Sequence, residues 1–558
     1  MSTTSGRMTG SIDVDGDEFT EITLTGTAGR WAVRQVGMTI ADGSLGPGSS
    51  HAVTVLPPGS VTVVFDDVRL GWCYLTPRRP AALLGSGVTH VLVEDDAVVL
   101  VRPEANNRLR EGQPDVNRYH LCPPRGWLND PNGLVFHRGR HHAFFQFHPQ
   151  GPAWGPMHWG HAVSDDLTTW FFLPIVLWPA ADGDAPIDRG GAYSGSALSA
   201  ADALDIWFTR HVGDAAGGAF RETQHRVRLV DGVRPGPERL VISQAPPRVG
   251  PDFRDPKVVT DPATGELIMV LGATEQTTPV VVMYRSRDGG DRWTYCGVIY
   301  RPQQPCRTVE CPDLFPLDGR WVLVVALLGS EDDHGRKNLS VAVVGDLNGD
   351  VFISVSERQL DFGSDFYAFQ TYQAGQRRLG MAWLGNWAST ERGQHEASVG
   401  TLSTPRELTL RGDRLLMPVA AEMRRLRGRP IKLIAEQPVR GMRRTCEIEI
   451  CSPDVADWSV TVATTPAGAI CVSMDGHQLR MTTPDDGAVV YSHTVTCPVD
   501  GPHRVQIFVD RSSVEVVADD GSVSGSRRYY HAVDDTIRLA TAFAGVSATI
   551  WPWGDAPG

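Results

Sequence analysis

Three short segments in the middle of the chain set an acidic side chain beside a proline or a turn, at the edge of a run that reads as a β-strand. They are WLNDPNG (Trp127–Gly133), FRDPK (Phe253–Lys257) and ECPDLF (Glu310–Phe315), and their acids are Asp130, Asp255 and Glu310. A lone Asp-Pro turn is most often a solvated cap. Three carboxylates gathered in one pocket are another matter, because they repel one another unless chemistry uses them. Paired carboxylates among aromatic side chains are what cleavage of a glycosidic bond needs. One attacks an oxocarbenium-like carbon or activates water there, a protonated one gives its proton to the leaving oxygen, and a third can hold sugar hydroxyls. No competing chemistry is visible: there is no HExxH helix and no P-loop G-K-[ST]. The pairs Cys306/Cys311 and Cys446/Cys451 lack the C-x2-C spacing of a zinc site. His137, His141, His142, His148, His158 and His161 crowd one stretch without ligand spacing. No metal and no organic cofactor is expected. Cys311 reads as a packing neighbour of Glu310 rather than a nucleophile.

The elements that must position these acids are strands. VTVVF (Val61–Phe65), HVLVEDDAVVLV (His90–Val101), HHAFFQF (His141–Phe147) and VQIFVD (Val505–Asp510) alternate and are bounded by Gly, Pro, Asp and Asn. The main helical candidate is AEMRRLRGR (Ala421–Arg429), read as a linker. An all-β chain of short strands and turn-rich spacers points to sandwiches, barrels or propellers. The 558 residues call for two to four domains at roughly 150 residues each. The blocks are 1–112, β-rich and ending in a polar linker (Arg102–Asp115), then 113–418 with most of the aromatics, then 419–558. The middle block has room for five four-stranded propeller blades of about 60 residues. With blades starting near 118, 178, 238, 298 and 358, Asp130, Tyr193, Asp255, Glu310 and Asp365 share a similar phase. Residues at one phase of successive blades converge at one end of the channel.

Composition narrows the partners. The net charge of −13 argues against nucleic acid or an anionic membrane and suits a neutral small molecule. The longest apolar run, Trp321–Leu328, is far short of a membrane span. The opening residues have no apolar h-region, and the nine scattered cysteines are no disulfide framework, so a cytoplasmic location is expected. A homo-oligomer stays open.

From near Arg118 to the C-terminus the sequence resembles glycoside hydrolase family 32, the invertases, inulinases, levanases and related fructosyltransferases. WLNDPNG is similar to that family's nucleophile motif, FRDPK to its RDP motif and ECPDLF to its acid/base motif. The resemblance implies Asp130 as nucleophile, Asp255 as transition-state stabiliser and Glu310 as proton donor. Lys257, one of only three lysines beside 49 arginines, completes the family's RDPK. FFQFHP contributes Gln146, MHWGHAVSDDLTTW Trp159, YSGSA Tyr193 and Ser194, DFYAFQTY Asp365 and Tyr367, and AWLGNW Trp383 and Asn386. Asn386 only completes its motif; the others, with Asn129 and Arg254, are the residues expected to bind substrate. STPREL closes the propeller, and FVDRSSVEVV (Phe508–Val517) resembles the family's C-terminal sandwich motif. The implied protein is a five-bladed β-propeller followed by a β-sandwich, an exo-acting retaining β-fructofuranosidase that needs no cofactor.

Two substitutions depart from the pattern: Tyr193 where many members carry Phe, and Phe369 where Ser is commoner. Either could reshape the leaving-group side. Trp127, Trp159 and Trp383 are expected to face sugar, whereas Trp31 and Trp72 read as core of the N-terminal block. That block, without counterpart in the simplest invertases, would be a sandwich that narrows the pocket mouth or packs on a second subunit. Sucrose and short fructo-oligosaccharides are the expected substrates. The alternatives are an exo-levanase, a levanbiose-releasing hydrolase, a fructosyltransferase, or a non-catalytic fructan-binding propeller.

Overall fold

A computed structural model describes residues 11–46, 50–94, 97–103, 109–110, 112–179, 190–200, 202–213, 219–390, 393–453, 456–484, 490–497 and 502–554. Nine sheets account for its strands.

Five of these sheets form the propeller. Their innermost strands are Gly126–Pro131, Gly190–Ser199, Val249–Thr260, Thr308–Leu317 and Tyr367–Ala374, and each heads an antiparallel meander of four main strands. Each inner strand begins about ten residues later than the even ruler of the sequence reading, at a nearly constant offset. The ring closes where Ser398–Val399 runs parallel to the first inner strand, pairing Gly126 with Ser398 and Trp127 with Val399. The middle strands are nearly continuous apolar runs, such as Arg320–Glu331 and its neighbour Lys337–Asn348, because blades pack face to face and bury both sides.

At the N-terminus a four-stranded and a five-stranded sheet sandwich a core that includes Phe19, Ile22, Val33, Val63 and Phe65. Strand Ser60–Asp66 alternates as its sequence requires, with Val61, Val63 and Phe65 inside. The far face of the five-stranded sheet belongs to the propeller core: Trp72, Tyr74, Leu83 and Val88 cluster with Phe147, Phe172 and Ile175. Gly87, at φ +81°, allows the close approach, since a Cβ there would lie 2.6 Å from the Phe172 carbonyl oxygen. Trp31 and Trp72 are both buried, as a packing role requires. The sequence reading missed the single α-helix among the described residues, Pro80–Ser86.

The C-terminal sheets, of six and five strands, enclose a second large core. The segment read as a helix through Arg429 is instead a 3-10 helix that stops at Leu426, ahead of Gly428 and Pro430, and it buries Met423 and Leu426. The end of the polar linker is docked on the rest of the molecule. Gln113 Oε1 accepts from the Ala397 and Ser398 amides (2.8 and 3.0 Å), and Asp115 is buried against Arg444 and the His531 amide.

Candidate active site

The motif prolines do local work that composition alone does not reveal. Pro131, Pro256 and Pro312 lack an amide hydrogen and cannot extend the ladder. The register of the first, third and fourth inner strands breaks there, between Leu128 and Pro131, Arg254 and Lys257, and Glu310 and Asp313. The second breaks between Ala192 and Gly195, where a Cβ on Gly195 would lie 2.0 Å from the Trp207 carbonyl oxygen, and the fifth between Tyr367 and Gln370. Asp255, Cys311 and Ala368 sit in these bulges with left-handed backbone, at φ 64°, 47° and 52°. A bulge re-aims a side chain out of the alternation of its strand. Five bulges at one depth turn Asp130, Ser194, Asp255, Glu310 and Tyr367 toward a common centre, below a cavity of about 850 Å³.

The centre is dense in negative charge. Ser194 Oγ donates to Asp130 Oδ2 (3.0 Å), while the buried Asp130 Oδ1 makes no hydrogen bond. Asp255 Oδ2 accepts from the Cys311 amide (2.8 Å), and the Cys311 thiol lies 3.6 Å from that oxygen and 3.8 Å from Asp130 Oδ2. Glu310 is held at both oxygens, by Arg254 (3.0 Å) and by the Tyr367 hydroxyl (2.7 Å). Arg254 also reaches Asp252 (2.5 Å) and Glu222 (3.5 Å), and Glu222 in turn contacts His211 (3.1 Å). Burial, with the Glu310 charge added, pushes the Asp130 carboxyl up to about 6. Burial pushes Asp255 to about 8 although Arg254 pulls it down. Burial and the flanking carboxylates hold the Cys311 thiol well above its ordinary value, so it stays protonated, in keeping with a packing role. Carboxylates crowded around one guanidinium share their protons, and the cluster keeps protons that separate carboxyls would lose by neutral pH. That is the condition for pairing a proton donor with a nucleophile at one centre.

Asn129, Asp130, Gln146, Tyr193, Ser194, Arg254, Asp255 and Glu310 all line the cavity. Tyr367 lies beneath it, fully buried, and meets it through Glu310. Three expected binding residues lie elsewhere. Trp159 is core, its indole donating to the Tyr193 carbonyl (3.0 Å), and Trp383 is buried between Trp127 and Trp387. Trp127 is likewise buried and donates to Asn129 (2.9 Å). These indoles brace the site from behind because their rings fill the space between inner strands. Asp365 departs furthest: it is buried against Arg527 (3.2 Å) and the Arg528 amide (2.8 Å) of the C-terminal sandwich. The fifth-blade position at this depth belongs to Tyr367. Asn386, also buried, supports the cavity residue Asn338 (2.7 Å). Of the two departures, Tyr193 lies in the cavity, stacked on His211 at 4.2 Å, whereas Phe369 packs on Phe366 in the core. The sequence reading missed Trp154, His211, Glu222, Asp252 and Arg307. His211 and Glu222 face each other across second and third strands of a blade, where no local motif marks them.

Carboxylates on the first, third and fourth inner strands of a five-bladed propeller, open to a sugar-sized cavity, define a glycoside hydrolase. A sequence profile described as "Glycosyl hydrolases family 32 N-terminal domain" matches residues 120–418. Among curated relatives, a sucrose-6-phosphate hydrolase of Zymomonas mobilis is 31% identical over 444 residues, covering 73% of this chain and 84% of that one. A raffinose invertase of Escherichia coli is 32% identical over 435 residues, covering 75% and 90%. A solved family 32 structure from Bifidobacterium adolescentis superposes with a TM-score of 0.80 at 25% identity, covering 97% of this chain and 99% of its own. Coverage that wide extends the structural match into the N-terminal sheets. The chain belongs to glycoside hydrolase family 32 and is a fructosidase.

Proposed function

We propose that the enzyme is an exo-acting, retaining β-fructofuranosidase whose preferred substrates are sucrose and short fructo-oligosaccharides. The observation that carries this reading is Asp130 Oδ1, a buried carboxylate oxygen in the cavity with no hydrogen-bond partner. Leaving such an atom unpaired is costly, and a reacting carbon is the partner that would repay it. Asp130 attacks the anomeric carbon of a terminal fructosyl group while Glu310 protonates the departing oxygen. Water then releases fructose from the covalent intermediate with Glu310 as base. Asp255 and Arg254 hold the fructosyl hydroxyls, and Tyr367 orients Glu310.

Charge argues for a neutral substrate. Five carboxylates, of Asp130, Glu222, Asp252, Asp255 and Glu310, line the cavity against the guanidinium groups of Arg254 and Arg307. With Asp255 still protonated near neutral pH, carboxylates outnumber the guanidinium groups there, and that excess would repel a phosphate. The raffinose invertase is therefore the better guide to specificity than the sucrose-6-phosphate hydrolase. The same reading places the enzyme in the cytoplasm, where its nine free cysteines stay reduced.

Product analysis tests this. Sucrose and 1-kestose should yield free fructose, appearing first as the β-anomer by NMR, and sucrose should be cleaved faster than its 6-phosphate. Release of levanbiose from levan, the α-anomer first, or preference for the phosphorylated sugar would overturn it.

A further inference from the structure

A second cleft lies away from the catalytic cavity, and among the described residues its lining has the opposite charge. Its volume is about 540 Å³, and it opens where the end of the N-terminal linker meets loops of the C-terminal sandwich. Arg110, Arg443, Arg444 and Arg511 line it, with Asp534 and Asp535 as the only acids among its described lining. Arg444 pairs with Asp115 (3.2 Å), whereas Arg110, Arg443 and Arg511 form no ion pair among the described residues.

Hydrogen bonding does not remove this charge. Arg511 donates to the carbonyls of Gln113 (3.3 Å) and Val116 (3.4 Å), and Arg110 to that of Arg118. A carbonyl oxygen satisfies a donor but leaves the positive charge in place, and each guanidinium keeps further N–H groups to offer. Burial lowers the Arg511 pKa, with Arg110, Arg118 and Arg444 adding their repulsion against the pull of Asp510. Arg443 and its neighbours also hold unusual backbone: φ is 50° at Arg443, 56° at Arg444 and 30° at Arg511. In a chain of net charge −13, a cleft lined by four arginines against Asp534 and Asp535, with Arg444 already paired to Asp115, keeps an excess of positive charge that favours an anion.

We propose that this cleft binds a phosphate-bearing small molecule, with Arg443 and Arg511 as its principal contacts. Arginine forks match phosphate oxygens in pairs, and the volume accommodates a sugar phosphate or a diphosphate. Because the lining comes from the linker and the sandwich together, occupancy would tie the two segments and stabilise their seam.

The test is isothermal titration of the full-length protein with inorganic phosphate and with pyrophosphate at fixed ionic strength, with melting temperature read in parallel. Saturable binding of one equivalent is expected, along with a rise in melting temperature that a matching concentration of chloride does not give. Arg443→Gln, an exposed side chain outside the catalytic cavity, should weaken binding at least about tenfold and leave sucrose turnover unchanged. Arg511→Gln should weaken it further. Saturation of the catalytic cavity with fructose should not compete. Absence of saturable binding, equal affinity in Arg443→Gln, or displacement of phosphate by fructose would each overturn the proposal.

Discussion

At the foot of the catalytic cavity Glu310 and Asp255 lie by one guanidinium, that of Arg254, and Asp130 faces the Glu310 charge. At the seam between propeller and sandwich Asp510 and Glu515 are as deeply buried, but they face two cations. His120 contacts Asp510 through Nδ1 and Glu515 through Nε2, both at 2.8 Å, and Arg406 meets Glu515 at 2.6 Å. An imidazole with a carboxylate at each nitrogen needs a proton on both. Its pKa rises to about 9 despite burial, while the Glu515 carboxyl, with Arg406 and His120 overcoming burial, falls to about 2. Asp130 and Asp255 move the other way, to about 6 and about 8. The same residue types, equally dry, are thus a fastener where charges balance and a reagent where they do not. Balanced burial serves the fold, and unbalanced burial costs stability and is kept for chemistry.

The largest effect that can sharpen this contrast is on turnover. Glu310→Gln removes the proton donor and should lower kcat for sucrose by about four orders of magnitude or more, with the melting temperature held. Steady-state kinetics and calorimetry on one preparation would check both halves.

At the seam the pattern should invert. Glu515→Ala strands Arg406 and His120 and should destabilise the protein by roughly 3–5 kcal/mol, while the fraction still folded keeps its kcat. Chemical denaturation read beside activity separates the two outcomes.

The seam should also leave a signature in pH. Depressed carboxyl values contribute stability above their unfolded value near 4, lost as pH falls toward about 2. A raised histidine contributes stability that is complete below its unfolded value near 6.5 and lost as pH rises through about 9. Melting temperature should therefore be highest between roughly pH 4 and 6.5 as far as this seam decides it. His120→Gln should flatten the alkaline limb while lowering stability at pH 6.

A smaller effect tests how Glu310 is held. Tyr367→Phe deletes one hydrogen bond to that carboxylate and should cost about 10- to 100-fold in kcat, with KM for sucrose nearly unchanged. A change in KM alone would mean that Tyr367 binds sugar rather than orienting the acid.

Much of the catalytic half was legible because its determinants are local. The prolines that break the inner strands stand beside the acids they aim, and blade length is regular enough for one ruler to bring Asp130, Asp255 and Glu310 to one depth. Residues whose roles depend on distant partners were not legible. Asp365 sits two positions before an inner strand and shares a motif with Tyr367, yet its partners, Arg527 and Arg528, lie about 160 residues away. Asp510 and Glu515 lie within FVDRSSVEVV, but nothing local marks them out or pairs them with His120 or Arg406. The tryptophans were placed at the sugar because aromatic rings beside acids suit carbohydrate; burial behind the bulges follows from the packing of blades, which no single segment encodes.

Asp130→Asn, followed by thermal melting from pH 5 to 8 alongside activity on sucrose, tests the central claim most directly. Wild-type Asp130 resists ionisation in the fold, so its cost to stability grows from about pH 4 and is complete somewhat above pH 6. The asparagine variant escapes that cost. The account predicts a protein that has lost nearly all turnover and melts at or above the wild-type temperature, with the gap widest at the alkaline end. A variant that keeps a tenth of wild-type activity, or melts well below wild type at pH 7 as a seam variant would, contradicts it.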